Sequence, residues 1–260
     1  MKRVFLFVLL FLTVSEKLYA FDIYGLQPLA PNGVFSTFSA ESLRKNKSSI
    51  EVVAERSNEP DFYRFAFKAA YGLTDDIEFN LTVPYVYHFS GSSNGMEDVA
   101  VGIKHRFHDE GKYGPSLAYL LNASIPSGDD DISTDGRVGV GLIISKRIGP
   151  FDGHLNLFYE KPGISRLKDE ISLLGGVEFA AAHNFKILSE IIVKKNHYTH
   201  DHDLVEARFG YRIKTTDYIY TTIGAGFDIK KRSPEYRVFL SVNFTTPYEK
   251  KKIRKLIEEE

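Results

Sequence analysis

The chain has 260 residues, with 33 Lys and Arg against 34 Asp and Glu, no cysteine and no tryptophan. A formal charge of −1 offers no footprint for nucleic acid or an acidic partner, and the missing thiols exclude disulfides, thiol nucleophiles and cysteine metal sites. A mean hydropathy of −0.20 excludes a bundle of membrane helices, since after the first twenty residues no stretch approaches the ~20 apolar residues a helical span needs.

The first twenty residues have the layout of an export leader: Lys2 and Arg3, an apolar run from Val4 to Val14, then Leu18, Tyr19 and Ala20 ahead of a cut before Phe21. As a helix that run rises only ~16 Å, too little for ~30 Å of hydrocarbon. Residues 1–20 are therefore read as a signal peptide. Residues 21–47 carry Pro28, Pro31 and Gly33, which predicts an irregular periplasmic segment or partial plug, with 34–41 as an optional short strand.

From residue 48 the pattern changes to period two. Between 76 and 89 the odd positions are Ile77, Phe79, Leu81, Val83, Tyr85, Tyr87 and Phe89, whereas the even ones include Asp76, Glu78, Asn80, Thr82 and His88. Successive strand side chains point to opposite faces, so this run has one apolar and one polar side. Twelve such strands are predicted, at 48–55, 61–71, 76–90, 96–107, 115–125, 137–148, 151–159, 170–181, 185–195, 204–213, 218–229 and 236–245. Alternate connections are short, such as Gly149-Pro150 and Ala182-His183-Asn184, and those between them are mostly longer and polar. Repetition of this kind behind an export leader predicts an all-β, twelve-stranded antiparallel transmembrane β-barrel over 48–245, with short periplasmic turns and long extracellular loops. The 15 Tyr and 20 Phe must supply any aromatic belt. Residues 246–260 form a charged tail, with Ile253, Leu256 and Ile257 on one side of a two-turn solvated helix or frayed end.

The run from Ala70 to Phe79, with Tyr71-Gly72-Leu73-Thr74-Asp75, followed by Val83-Pro84-Tyr85, resembles the core of a bacterial outer-membrane family named for a meta-pathway of phenol degradation. Glu97-Asp98-Val99-Ala100-Val101-Gly102, Ala123-Ser124-Ile125-Pro126-Ser127-Gly128-Asp129 and Val138-Gly139-Val140-Gly141-Leu142 continue the likeness across most of 48–245. The resemblance implies a barrel that passes small, often aromatic or apolar, solutes across the outer membrane. Such barrels end at an aromatic residue read by the assembly machinery, whereas here Phe244 is followed by the charged tail.

With the apolar face toward lipid, the lumen receives Glu51, Arg64, Lys68, Glu78, Asp98, Lys104, Arg106, Arg147, Asp152, Glu178, Lys186, Glu190, Arg208, Arg212, Asp228 and Arg237. On the lipid face an Arg or Lys would cost about 2–4 kcal/mol at the midplane. Counting from the connections pairs Arg147 with Asp152, Glu190 with Arg208, Asp228 with Arg237, Glu78 with Arg106 and Glu51 with Arg64. Two readings of this interior stay open: a polar conduit without charge selectivity, and a ladder of ion pairs that seals the barrel.

Other constellations carry less. His197, His200 and His202 with Asp201 and Asp203 have zinc-ligand chemistry but lie in a loop that nothing orders. Asp129, Asp130, Asp131 and Asp135 lack the spacing of a calcium loop, so neither a metal nor a cofactor is assigned. Outer-membrane phospholipase is also a twelve-stranded barrel, yet Ser93-Asn94-Gly95 has its nearest histidine, His88, five residues before the serine and on the other face; Ser90 shares the face of His88, but that face is lumenal. The reading is a monomeric barrel held in outer-membrane lipid, inserted by the barrel-assembly machinery and passing small-molecule solutes passively. A sealed structural or adhesion barrel and a lipolytic enzyme are the alternatives.

Overall fold

The structure, a computed structural model, describes residues 24–58, 61–89, 93–129, 132–165, 167–195, 203–229 and 236–246. Its strands are β1 (Ser48–Asn58), β2 (Asp61–Gly72), β3 (Ile77–Phe89), β4 (Ser93–Met96), β5 (Val99–His108), β6 (Ser116–Ile125), β7 (Arg137–Ile148), β8 (Phe151–Pro162), β9 (Glu170–Ala182), β10 (Phe185–Lys195), β11 (Asp203–Lys214), β12 (Ile219–Asp228) and β13 (Tyr236–Thr245). β1 pairs with both β2 and β13, so the antiparallel sheet closes on itself and leaves no edge to aggregate. β4 pairs with the far end of β3 and β5 with its near end. They make one interrupted stave, and the barrel has twelve.

Burial follows the two-residue period, as in the exposed–buried alternation of β1 and β13. The outward set is apolar and uncovered: Leu121, Leu142, Leu155, Leu157, Leu173 and Leu240 are all exposed. Aromatic rings collect in two bands. At the short-connection end Phe151 stacks on Phe179 with centroids 4.8 Å apart, and Phe185 meets Tyr211 at 5.7 Å. Tyr63 and Tyr87, at 6.4 Å, lie toward the opposite end. From Phe151 to Tyr159 is about 26 Å along β8, or about 20 Å along the axis of a tilted strand, close to the height of a barrel's apolar band. Such a surface is stable against hydrocarbon and not against water. Leu157, midway along β8, tests this: Leu157→Arg should destabilise the barrel by about 2–4 kcal/mol in lipid, measured as a lowered urea midpoint.

Inside the barrel, residues 24–47 fill much of the lumen. They start beside Glu97, descend past Thr82 and Glu51, turn near Arg212, cross the lumen between Glu190 and Asn156, and leave past Lys104 and Glu78 into β1. No strand forms at 34–41. Gly33 and Phe38 make one isolated bridge, because the backbone N–H groups of Ser36, Thr37, Phe38 and Ala40 go to wall side chains instead of a ladder. Leu26, Phe38 and Ala40 pack on inward-facing Ala118, Leu120 and Ile143 in a small apolar core. Two inward glycines permit the close approach: a Cβ on Gly102 would sit 2.4 Å from Leu26, and one on Gly176 would sit 2.7 Å from Val34.

Three expected pairings shift. β1 runs on to Asn58, opposite Asp61, so Glu51 faces Lys68 and Arg64 faces Glu55. The connection is shorter than the sequence count assumed. The register of β3 slips between Val86 and Phe89, where His88 has φ 65°, and the stave breaks at Glu97 and Asp98. Glu78 therefore faces Lys104, and Arg106 reaches the rim beside Asp76. Asp228 lies opposite Glu206, two places from Gly226, the residue that faces Arg237.

Candidate functional site in the barrel interior

Of the sixteen residues assigned to the lumen, Glu51, Arg64, Lys68, Glu78, Asp98, Lys104, Glu178, Glu190, Arg208, Arg212, Asp228 and Arg237 are buried. Asp152, Lys186 and Arg106 are partly covered, nearer the short-connection mouth. Arg147 departs from the expectation, with its side chain 66% exposed. It is a rim residue, clamped to Asp152 at 2.5 Å across the β7–β8 turn. Glu190 faces Arg208 in register, 3.7 Å away.

Closure of the sheet joins these charges into a chain that no single hairpin contains. Glu97 meets Arg64 at 2.6 Å, Arg64 meets Glu55 at 3.6 Å, Glu55 meets Arg237 at 3.3 Å, Arg237 meets Glu206 at 3.8 Å, Glu206 meets Arg208 at 2.6 Å, and Arg208 meets Glu190 at 3.7 Å. Signs alternate along its whole length. The chain crosses the β1–β13 seam, so it ties the first strand to the last. Glu55, Glu97 and Glu206 were not assigned to the lumen from sequence, although Glu55 lies four places from Glu51 and shares its face.

A second set of contacts runs from the wall to the backbone of residues 24–47. Lys68 donates to Pro28 O at 2.7 Å, and Lys104 to Ser39 O and Glu41 O at 3.2 and 2.6 Å. Arg212 donates to Pro31 O, Gly33 O and Val34 O at 3.3, 2.7 and 3.0 Å. Glu190 accepts from the N–H groups of Ser36 and Thr37 at 2.8 and 2.5 Å and from the Thr37 hydroxyl at 2.5 Å. Asn156 brackets one residue, accepting from Phe38 N–H at 2.6 Å and donating to Phe38 O at 2.9 Å. Glu51 and Glu78 accept from Ala30 and Leu43 N–H at 3.1 and 2.7 Å. Hydrogen bonds to charged groups are the stronger ones, so the segment is pinned at several points.

The space left is uneven. A polar cavity of about 360 Å³ opens at the short-connection end, between Glu41 and Ser42 of the segment and Asp152, His154, Glu178 and Lys186 of the wall. Deeper, the cavity beside Tyr24, Phe38, Phe158 and Arg208 holds about 50 Å³. That admits a few waters and no organic solute. At the opposite mouth Asp98 lies beyond the last β5–β6 pair, Val99 with Ile125, and organises the following loop. Its carboxylate accepts from Gly128 N–H, the Ser133 hydroxyl, the N–H and hydroxyl of Thr134, and Gly136 N–H. Burial opposes its charge, but the Ser133, Thr134 and Gly128 donors together outweigh it and hold the carboxyl below the usual range. Glu110, in the β5–β6 connection, is likewise held low: slight burial works against its charge, and Lys146 and the Arg147 N–H outweigh it.

The histidine cluster at 197–202, Asp130, Asp131, Ser90, residues 1–23 and the tail from 247 lie outside the described residues. His88 is described; its N–H donates to the side chain of Asn94 at 2.6 Å.

No family model matches the sequence, and no curated protein is detectably similar, so the resemblance drawn above rests on its own motifs. Solved structures do match. The COG4313 outer membrane channel from Pseudomonas putida F1 superposes with a TM-score of 0.64 at 12% identity, over 80% of this chain and 98% of that one. The KdgM porin gives 0.59 at 12% identity, covering 76% and 99%, and the NanC porin 0.57 at 11%, covering 76% and 99%. At such identities the likeness concerns the fold alone.

Proposed function

We propose that this chain is a monomeric outer-membrane channel for small solutes, inserted by the barrel-assembly machinery after loss of residues 1–20 and closed in the described state by residues 24–47. The observation that carries this reading is the pairing of a hydrocarbon-compatible exterior with an interior of buried, alternating charge. A barrel meant only as a scaffold would be cheaper to fold with an apolar filling, since buried ion pairs rarely add stability over well-packed apolar groups. The channel and porin neighbours support the same reading by analogy of fold. In this reading passage is passive, down the solute's own gradient. Solutes with aromatic or apolar parts, as the motif resemblance implies, would meet their best surface on Leu120, Ile143, Leu174 and Ile192.

A sealed structural barrel is the second reading, and the 50 Å³ cavity beside Phe38 favours it. Purified full-length protein in planar bilayers separates the two. The channel reading expects stepwise ion currents as the segment leaves and returns. A barrel that never conducts, at any voltage the bilayer survives, would end it.

A further inference from the structure

We infer that the lumen is built to take short peptides in a tight bend by their main chain, with Arg212 on β11, Glu190 on β10 and Asn156 on β8 as the reading set. The inference rests on the channel reading and names its solute class. Over residues 31–38 these three side chains take three carbonyls through Arg212, two consecutive N–H groups through Glu190, and the N–H and carbonyl of Phe38 through Asn156. Only one of these contacts with the segment, Thr37 hydroxyl to Glu190, reads a side chain. A set that recognises backbone is indifferent to sequence, and any peptide that takes up the bend closed here between Gly33 and Phe38 presents the same donors and acceptors.

A buried irregular backbone must find partners somewhere, which is the plainer account of these bonds. It does not explain their source. The stretch makes few backbone bonds of its own, chiefly Val34 N–H to Thr37 O and Ser39 N–H to Asn32 O of the Gly33–Phe38 bridge, so wall side chains supply the rest. When residues 31–38 swing aside, the reading set stays on the rigid wall. Gly176 then leaves an open groove beside it, where Val34 and Thr37 had packed. The polar cavity at the short-connection end already lies against Pro31 and Asn32, giving an entering peptide access to the segment it displaces.

The test uses full-length protein in liposomes and three probes of matched chain length: an end-blocked hexapeptide of alanine, serine and threonine, its fully N-methylated counterpart, and a linear polyether. Entry is followed by swelling. The peptide should enter about tenfold faster than its N-methylated form, which offers Glu190 and Asn156 no N–H. Glu190→Ala, which removes the acceptor of two consecutive N–H groups, should bring the two within about threefold of each other. If that variant does not insert, Asn156→Leu, which removes the acceptor of the Phe38 N–H, should narrow the gap in the same direction. Equal entry of all three probes, or ion current with exclusion of the peptide, overturns the peptide assignment and leaves the channel standing. Absence of both ion current and entry sinks the channel reading, and this inference with it.

Discussion

Glu190→Ala should raise the mean ion current through the reconstituted barrel by roughly a hundredfold, through a larger open fraction. Glu190 is buried and accepts three hydrogen bonds from residues 36 and 37, at the point where the segment crosses the lumen. Each such bond to a charged acceptor is worth about 1.5–3 kcal/mol. They share one oxygen and do not add, so a loss of about 3 kcal/mol is the working figure, and that is a hundredfold in the closed-to-open ratio. The choice of residue matters. Removing Arg208 would take an ion-pair partner from two buried carboxylates, Glu190 and Glu206, whereas removing Glu190 leaves Arg208 held by Glu206 at 2.6 Å and by the Ser36 hydroxyl at 2.6 Å. The wall should therefore stay folded, which unchanged heat-modifiable mobility on gels would report. Glu190→Gln keeps an acceptor without the charge and should fall between, at about tenfold. Currents equal to those of the wild type in both variants would mean that residues 24–47 are permanent filling.

Much of the barrel was legible in the sequence because its rule is local. Lipid contact demands an apolar residue at every second position, and the run from Ile77 to Phe89 shows it without reference to any other strand. Register across strands is less local. The Arg147–Asp152 pair follows from a two-residue turn, while Glu78 and Arg106 miss each other because the bulge at His88 and the break at Glu97–Asp98 carry no strong sequence signal. The path of residues 24–47 was least legible. Prolines and a glycine marked them as irregular, but the bonds that hold them run from wall side chains to backbone atoms, which every residue type has in common. One signal was present and unused. Around Ala118 to Leu121 on β6 and Gly141 to Ile144 on β7 both faces are apolar or small, which marks a strand covered on both sides. That doubled apolar pattern is where Leu26 and Phe38 pack.

The charge chain across the seam yields the other large effect. Arg237→Met should destabilise the barrel by about 3 kcal/mol, as a lowered urea midpoint in lipid, because breaking a buried pair strands charge where water cannot reach it. Arg237 stands between Glu55 at 3.3 Å and Glu206 at 3.8 Å, all three nearly inaccessible. Without it the remaining four glutamates, Glu97, Glu55, Glu206 and Glu190, share two arginines, Arg64 and Arg208. Adding Glu55→Gln should then recover more than half of the loss, since one stranded carboxylate becomes a neutral amide beside Arg64. Non-additivity of this sign separates an electrostatic chain from simple packing, for which the second substitution would cost more. Salt supplies the remaining control. An exposed pair weakens once the Debye length shrinks to ~3 Å at 1 M, whereas a buried one is little screened, so the Arg237→Met deficit should persist at high salt. A deficit that vanished there would place these charges in water, and with it reduce the seam's ion pairs to a surface feature.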